Sequence, residues 1–300
     1  RLGCENEEGG ANVLGKLIWN VIKGLPRMVT VAAGAGIAWS AVGVDHSMMM
    51  KPSLPGTRLH HDDGSGGLIA MYHDTAGTGT PVLLVHSVNA AASSYEMRPI
   101  YTRLQGERPV WALDLPGFGD SDRGDRPYSP RMMGLAIGQG LDRIGEPAHV
   151  VALSLGSEFA ARAASDRPDL LKSLTLISPT GFGDTVNRGP AVGMAFRFPL
   201  WAQAAYDGLV SRSMIRYYLG KSFAGPVDEM MVDHAYRTAH QPGARFAPFA
   251  FLSGELHTIT VVDSLYSAVK APTLVLYDQD AFTGFERLPE FIAGRDGWNA

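Results

Sequence analysis

Ser154 is the residue whose neighbours best equip it to do chemistry, because it stands at a joint between two kinds of sequence. Ala148 to Leu153 is a short apolar, β-branched run of the kind that becomes a buried strand, and Leu155 to Ser165 is Ala-rich with apolar positions at helical spacing. A serine on a tight strand-to-helix turn is pushed out above the sheet edge. The N–H that follows it, on Leu155, then lies at a helix N-terminus, where a developing oxyanion is stabilised. A free serine hydroxyl is a poor nucleophile at neutral pH, so this chemistry also requires a histidine to take the proton and an acid to hold that histidine. The pentapeptide Ala152-Leu153-Ser154-Leu155-Gly156 departs from the G-x-S-x-G of a nucleophilic elbow at its first position, where alanine is the mildest replacement. It fits a serine N-cap opening an ordinary βα unit as well, and the pentapeptide alone leaves both readings open.

The other chemistry-bearing residue types narrow the field. His60, His61 and His73 lie close together in sequence, but no carboxylate–histidine spacing of a metal site accompanies them, so solvated hairpin histidines are expected. Cys4 is the single cysteine, which excludes a disulfide framework or a cysteine metal site within one chain. A net charge of −4 and the absence of a basic run interleaved with aromatics argue against nucleic acid as a partner. With 45% hydrophobic and 19% charged residues, the 300-residue chain can bury a large core, and neither disorder nor a coiled coil fits.

Several elements must position Ser154. Residues 1–56 read as a leader: Arg1 to Gly10 is Glu- and Gly-rich with little to bury, and Met28 to Val44 carries no charge and follows Lys16, Lys23 and Arg27. That run fits a short membrane anchor, a signal-peptide core or a packed helix, so the protein is expected in the cytoplasm or at a membrane through residues 28–44. From Thr57 the pattern is globular. Thr57 to His61 and Leu68 to Asp74 read as a hairpin, followed by a strand at Pro81 to His86, a helix at Tyr95 to Gln105 and a strand at Val110 to Leu113. A helix from Pro130 to Ile144 leads to the Ser154 joint, and strands follow at Leu174 to Ile177 and Thr273 to Tyr277. The expected fold is α/β: a mostly parallel, doubly wound sheet covered on both faces, with the hairpin as an antiparallel edge. Residues 57–183 and 258–300 form that core. Residues 184–257 break the alternation with helical, Met- and aromatic-rich sequence, and are expected to sit as a lid over the carboxyl ends of the strands, giving an apolar acyl or aryl pocket.

Four separated motifs in this order make the chain resemble the α/β-hydrolase family over roughly Thr57 to Ile292. They are the strand ending in His86-Ser87-Val88, similar to the family's His-Gly-x turn; Asp114 to Ser121, similar to its D-x-x-G-x-G-x-S loop; the elbow at Ser154; and a late strand with the acidic end Asp280. The segment Asn89 to Arg98 resembles a bacterial branch of that family. The resemblance implies acyl transfer with Ser154 as nucleophile and, by family order, an acid and then a histidine after it. Asp280 is the implied acid, with Asp278 and Asp184 as alternatives. The implied oxyanion hole is the N–H of Leu155 with that of Val88, and His86 supports the turn rather than acting as base. No histidine follows Asp280, and His234 or His257 would substitute only by an unusual rearrangement. The native polypeptide is therefore expected to continue past Ala300 with a last strand and the catalytic histidine. The expected activity is hydrolysis of carboxylic esters or similar acyl substrates without metal or organic cofactor. A serine at the elbow sets aside a dehalogenase with an aspartate nucleophile. The alternative is a catalytically inactive relative that uses the fold as a binding or scaffold protein.

Overall fold

The computed structural model describes residues 33–183 and 200–300. β1 (Thr57–Asp62) and β2 (Leu68–Asp74) form the antiparallel hairpin. The turn between them is closed by Asp63, whose Oδ1 accepts the N–H groups of Ser65 and Gly67 at 2.7 and 3.0 Å. Strands and helices then alternate through β3 (Val82–Val85), α2 (Arg98–Leu104), β4 (Val110–Leu113), α3 (Pro130–Ile144), β5 (Ala148–Leu153), α4 (Gly156–Asp166) and β6 (Leu171–Ile177). The helix expected from Tyr95 begins instead as a 3-10 turn, Ser94–Met97, because Pro99 sits where α2 starts. Local signals fix α3 at both ends: the Ser129 hydroxyl accepts the Met132 N–H at 3.2 Å, Pro130 opens the helix, and Gly145 ends it at φ 83°.

Between β6 and β7 (Thr273–Leu276) the chain inserts helices. Within the described part these are α5 (Ala202–Leu209), α6 (Arg212–Ser222), α7 (Glu229–Ala239), α8 (Phe246–Leu252) and the single turn α9 (Val261–Ser264). After β7 come α10 (Leu288–Ala293) and β8 (Trp298–Asn299). β8 pairs parallel to β7.

Among the described residues the sheet has eight strands in the order β1-β2-β4-β3-β5-β6-β7-β8, with every pairing from β4 to β8 parallel. From β3 the chain moves outward to β4, then returns to the other side of β3 as β5. In open α/β sheets a crevice forms at such a reversal, outside the carboxyl ends of the strands. His86 to Val88 and Ser154 follow the two strands that flank it. One face of the sheet (Leu83, Val85, Val150, Ala152, Leu174, Leu176) is buried with Met133, Ile137, Phe159 and Ala160 of α3 and α4. The other face (Leu84, Ala112, Tyr72) is buried with Met97 and with Tyr101 of α2. On β7, Val275 is buried with the α3 and α4 face, while Leu274 and Leu276 point away from it.

Residues 33–43 are helical (α1), and residues 28–32 of the uncharged run lie outside the described residues. Among the described residues no helix is long and apolar enough to cross a membrane. The Ser40 hydroxyl donates to Asp207 Oδ2 at 2.6 Å, and His46 Nε2 lies 3.0 Å from the same oxygen. Asp207 is on α5 and fully buried, so this segment is fastened to the inserted helices. Replacing Asp207 by Ala strands the partners Ser40, His46 and Gln203, and is expected to cost about 1–3 kcal/mol in chemical denaturation. Limited proteolysis within residues 33–50 is expected to be faster in Asp207→Ala than in the unsubstituted protein.

Candidate active site

Strain marks the joint. Ser154 has φ 53°, in the left-handed region that non-glycine residues rarely adopt and that surrounding structure must enforce. The enforcement is visible on both sides. The Ser154 N–H donates to the Ile177 carbonyl at 2.8 Å, extending the β5–β6 ladder by one bond, and the Ser154 carbonyl accepts the Ser157 N–H at 3.0 Å as α4 starts. The elbow also explains its own sequence. A side chain at Gly156 would run into the His86 carbonyl, because α4 presses against the end of β3 there. Ala152 is buried inside β5, where a methyl group is accommodated, so the first glycine of the motif is dispensable here and the second is not.

The loop after β3 is held from several directions. His86 is fully buried, its Nε2 accepting the Leu115 N–H at 2.9 Å, which leaves Nδ1 to donate to the Ser87 carbonyl at 2.5 Å. Burial pushes its pKa below the ordinary histidine value. His86 is therefore a neutral brace joining two loops, the role its position implied. Ser87, which stands where the family pattern has glycine, is clamped by Glu96. Glu96 Oε2 accepts both the Ser87 N–H at 3.0 Å and the Ser87 hydroxyl at 2.6 Å, while Oε1 accepts Asn89 Nδ2 at 2.7 Å. Val88 sits between the two clamped residues and is 5% exposed. Sequence reading missed Glu96. Its signal was a lone acid in Ser-Ser-Tyr-Glu-Met, among neighbours that are themselves buried.

Asp114 opens the loop after β4 and is fully buried, accepting the Ser94 and Asp120 N–H groups at 2.7 and 2.8 Å. Burial raises its pKa, opposed by those hydrogen bonds. Asp280 lies in the loop after β7, on the far side of β6 from Ser154, and its Oδ1 accepts the Phe282 N–H at 2.7 Å. Asp278 is exposed, and Asp184 lies outside the described residues. His234 is committed elsewhere: its Nε2 is 3.1 Å from the Ser53 hydroxyl, and its ring stacks on Tyr95 at 4.6 Å. Among the described residues no group of three or more His, Cys, Asp or Glu converges to hold a metal. His73 stacks on Trp111 at 4.4 Å.

Residues 82–297 match the alpha/beta hydrolase family, and the chain belongs to that family. It is 32% identical over 207 residues to the dihydrolipoyllysine-residue acetyltransferase component of an acetoin cleaving system from Cupriavidus necator, covering 60% of this chain and 52% of that protein. It thus spans about half the length of that relative. A putative carbamate hydrolase from Azorhizobium caulinodans is 31% identical over 114 residues, which is 38% of this chain and 42% of that one. The crystal structure of a haloalkane dehalogenase from Agrobacterium tumefaciens superposes with a TM-score of 0.62 at 20% identity, over 81% of this chain and 86% of the other. At that identity the likeness is one of fold.

Because the His86 carbonyl occupies the space a side chain would need, Gly156→Ala is expected to destabilise the protein by about 1–3 kcal/mol in urea denaturation, the usual cost of overpacking.

Proposed function

We propose that the protein is a serine hydrolase of carboxylic esters or similar acyl compounds, working through a covalent acyl-serine intermediate. The supporting observation is the left-handed backbone of Ser154 at a strand-to-helix turn, held by Ile177 on one side and by the Gly156–His86 contact on the other. The relatives include an acetyltransferase component, a carbamate hydrolase and a dehalogenase, so likeness alone does not choose among their chemistries. A serine at the elbow favours one of them. Displacement of halide by a carboxylate leaves an ester that water cleaves, whereas displacement by a serine would leave a stable ether; serine suits acyl carbon.

In this reading Ser154 Oγ attacks the carbonyl carbon as its proton passes to a histidine. The oxyanion that forms is met by the N–H groups of Leu155 and Val88. Collapse breaks the bond to the leaving group, which takes the proton from the histidine, and water then repeats the sequence to release the acid. Asp280 holds the histidine. Family order places that histidine after the acid, beyond a later strand, and so does not call on His86 or His234. Triad chemistry of this kind is complete without a cofactor. The helices between β6 and β7 act as the lid. Their contact with the oxyanion loop is direct, because the Tyr206 hydroxyl of α5 donates to the Ala90 carbonyl at 2.8 Å.

In a chain that carries that histidine, a fluorophosphonate probe is expected to label Ser154. Ser154→Ala should abolish both labelling and hydrolysis of medium-chain aryl esters with the melting transition nearly unchanged. Hydrolysis at the wild-type rate would remove Ser154 from this role and leave the binding-protein alternative. Glu96→Ala releases Ser87 and Asn89, and with them the Val88 donor. Its expected effect is a fall of about 10²-fold or more in kcat with little change in KM, the loss seen when one oxyanion donor is removed.

A further inference from the structure

α4 is Ala-rich and enclosed through its first turns, so a charged side chain there needs a reason. Glu158 is 2% exposed and lies one helical turn after Ser154. Its Oε1 accepts the Thr180 hydroxyl at 2.5 Å, and its Oε2 accepts the Thr258 backbone N–H at 2.8 Å. Each oxygen is thus satisfied by an uncharged donor. Burial pushes the carboxyl above the ordinary glutamate range, opposed by these two partners and by Arg162 on the same helix. Placing a carboxyl group in such surroundings carries a desolvation cost that an apolar residue would not.

The identity of the donors supplies the reason. Thr180 lies where the chain leaves β6 for the inserted helices, and Thr258 lies where it returns from them. Both crossings are otherwise tightly built. The Tyr266 hydroxyl donates to the Thr180 carbonyl at 3.1 Å, and Phe182 stacks on Tyr266 at 5.1 Å with the rings 5° from parallel. Gly181, at φ 98°, leaves room for the Val261 side chain, and Thr260 is held at φ 57°. Two strained crossings meet one buried carboxylate on the helix that carries the nucleophile.

We propose that Glu158 is a positioning residue that fastens both ends of the helical insertion to the nucleophile helix, so that the lid and Ser154 keep one fixed geometry. The proposal rests on the reading of Ser154 as nucleophile and of the insertion as its lid. Displacements of about 1 Å at a reacting centre cost on the order of 10²-fold in rate, which sets the size of effect available to such a fastening.

The test uses Glu158→Ala, Glu158→Gln and Thr180→Val in the full chain. Glutamine keeps both links: its oxygen accepts the Thr258 N–H, and its NH₂ donates to the Thr180 hydroxyl oxygen. Amide hydrogen exchange is read first, since it does not depend on catalysis. Exchange at Thr258 is expected to rise about tenfold or more in Glu158→Ala, as for a lost hydrogen bond to a charged acceptor, and to stay near wild type in Glu158→Gln. With a bulky acyl ester, kcat/KM should fall by about 10–100-fold in Glu158→Ala, by less in Thr180→Val, and recover to within a few-fold in Glu158→Gln. Labelling of Ser154 by a small fluorophosphonate, which needs no lid, should stay within a few-fold of wild type in all three. Equal losses in Glu158→Gln and Glu158→Ala would overturn the proposal, as would unchanged Thr258 exchange in Glu158→Ala. If Glu158→Ala does not fold, Thr180→Val and Glu158→Gln still decide: Thr180→Val must lower kcat/KM and Glu158→Gln must not. A wild-type protein whose Ser154 takes no probe would sink the hydrolase reading and leave the exchange result standing on its own.

Discussion

The contact that the rest of the site depends on is the approach of Gly156 to the carbonyl of His86. It brings the start of α4 against the end of β3, so that the turns after two neighbouring strands share one crevice. A single methyl group at position 156 would part them. The close approach also consumes the backbone around His86, whose ring must then be satisfied from within: one nitrogen takes the Leu115 N–H and the other the Ser87 carbonyl. Burial keeps that ring uncharged, and an uncharged ring can both accept and donate. The brace and the elbow are therefore one construction.

Around this contact three buried or half-buried carboxylates organise loops by accepting backbone N–H groups. Asp114 gathers the N–H groups of Ser94 and Asp120, Glu96 that of Ser87, and Glu158 that of Thr258. The loops held in this way follow β3, β4 and β6. Irregular backbone near a sheet edge carries donors with no ladder partner, and leaving one buried and unpaired costs about 1–3 kcal/mol. A carboxylate offers two oxygens to such donors at once, which a serine or asparagine does not. The desolvation cost of the charge is offset locally by loops that could not otherwise be packed without water.

The fold was legible in the sequence because its signals are local. The hairpin, the α3 boundaries at Pro130 and Ile144, and the strand–serine–helix joint each follow from residue types within a few positions. The parts that were not legible depend on partners distant in sequence. Glu96 and Glu158 look like ordinary helix-surface acids until the chain brings Ser87 and Thr258 to them, across 9 and 100 residues. Ser87 stands where the family pattern has glycine. In the structure it is a gain, since its hydroxyl supplies one of the bonds that hold the turn.

The same logic extends to the segment before the core. Ser40, His46, Met48 and Ser53 reach Asp207, Gln241 and His234, all on or beside the inserted helices, and the Ser53 N–H also donates to the Tyr72 hydroxyl of β2 at 3.4 Å. The insertion is thus held at its two crossings by Glu158, over the loop after β3 by Tyr206, and along another side by residues 40–53. Motion of the insertion as a body would have to break polar contacts on three sides, several of them buried. Any displacement is therefore more economical within the insertion, around the exposed end of α6 and the turn at Phe223 to Pro226, than at its crossings, where buried hydrogen bonds would have to break first.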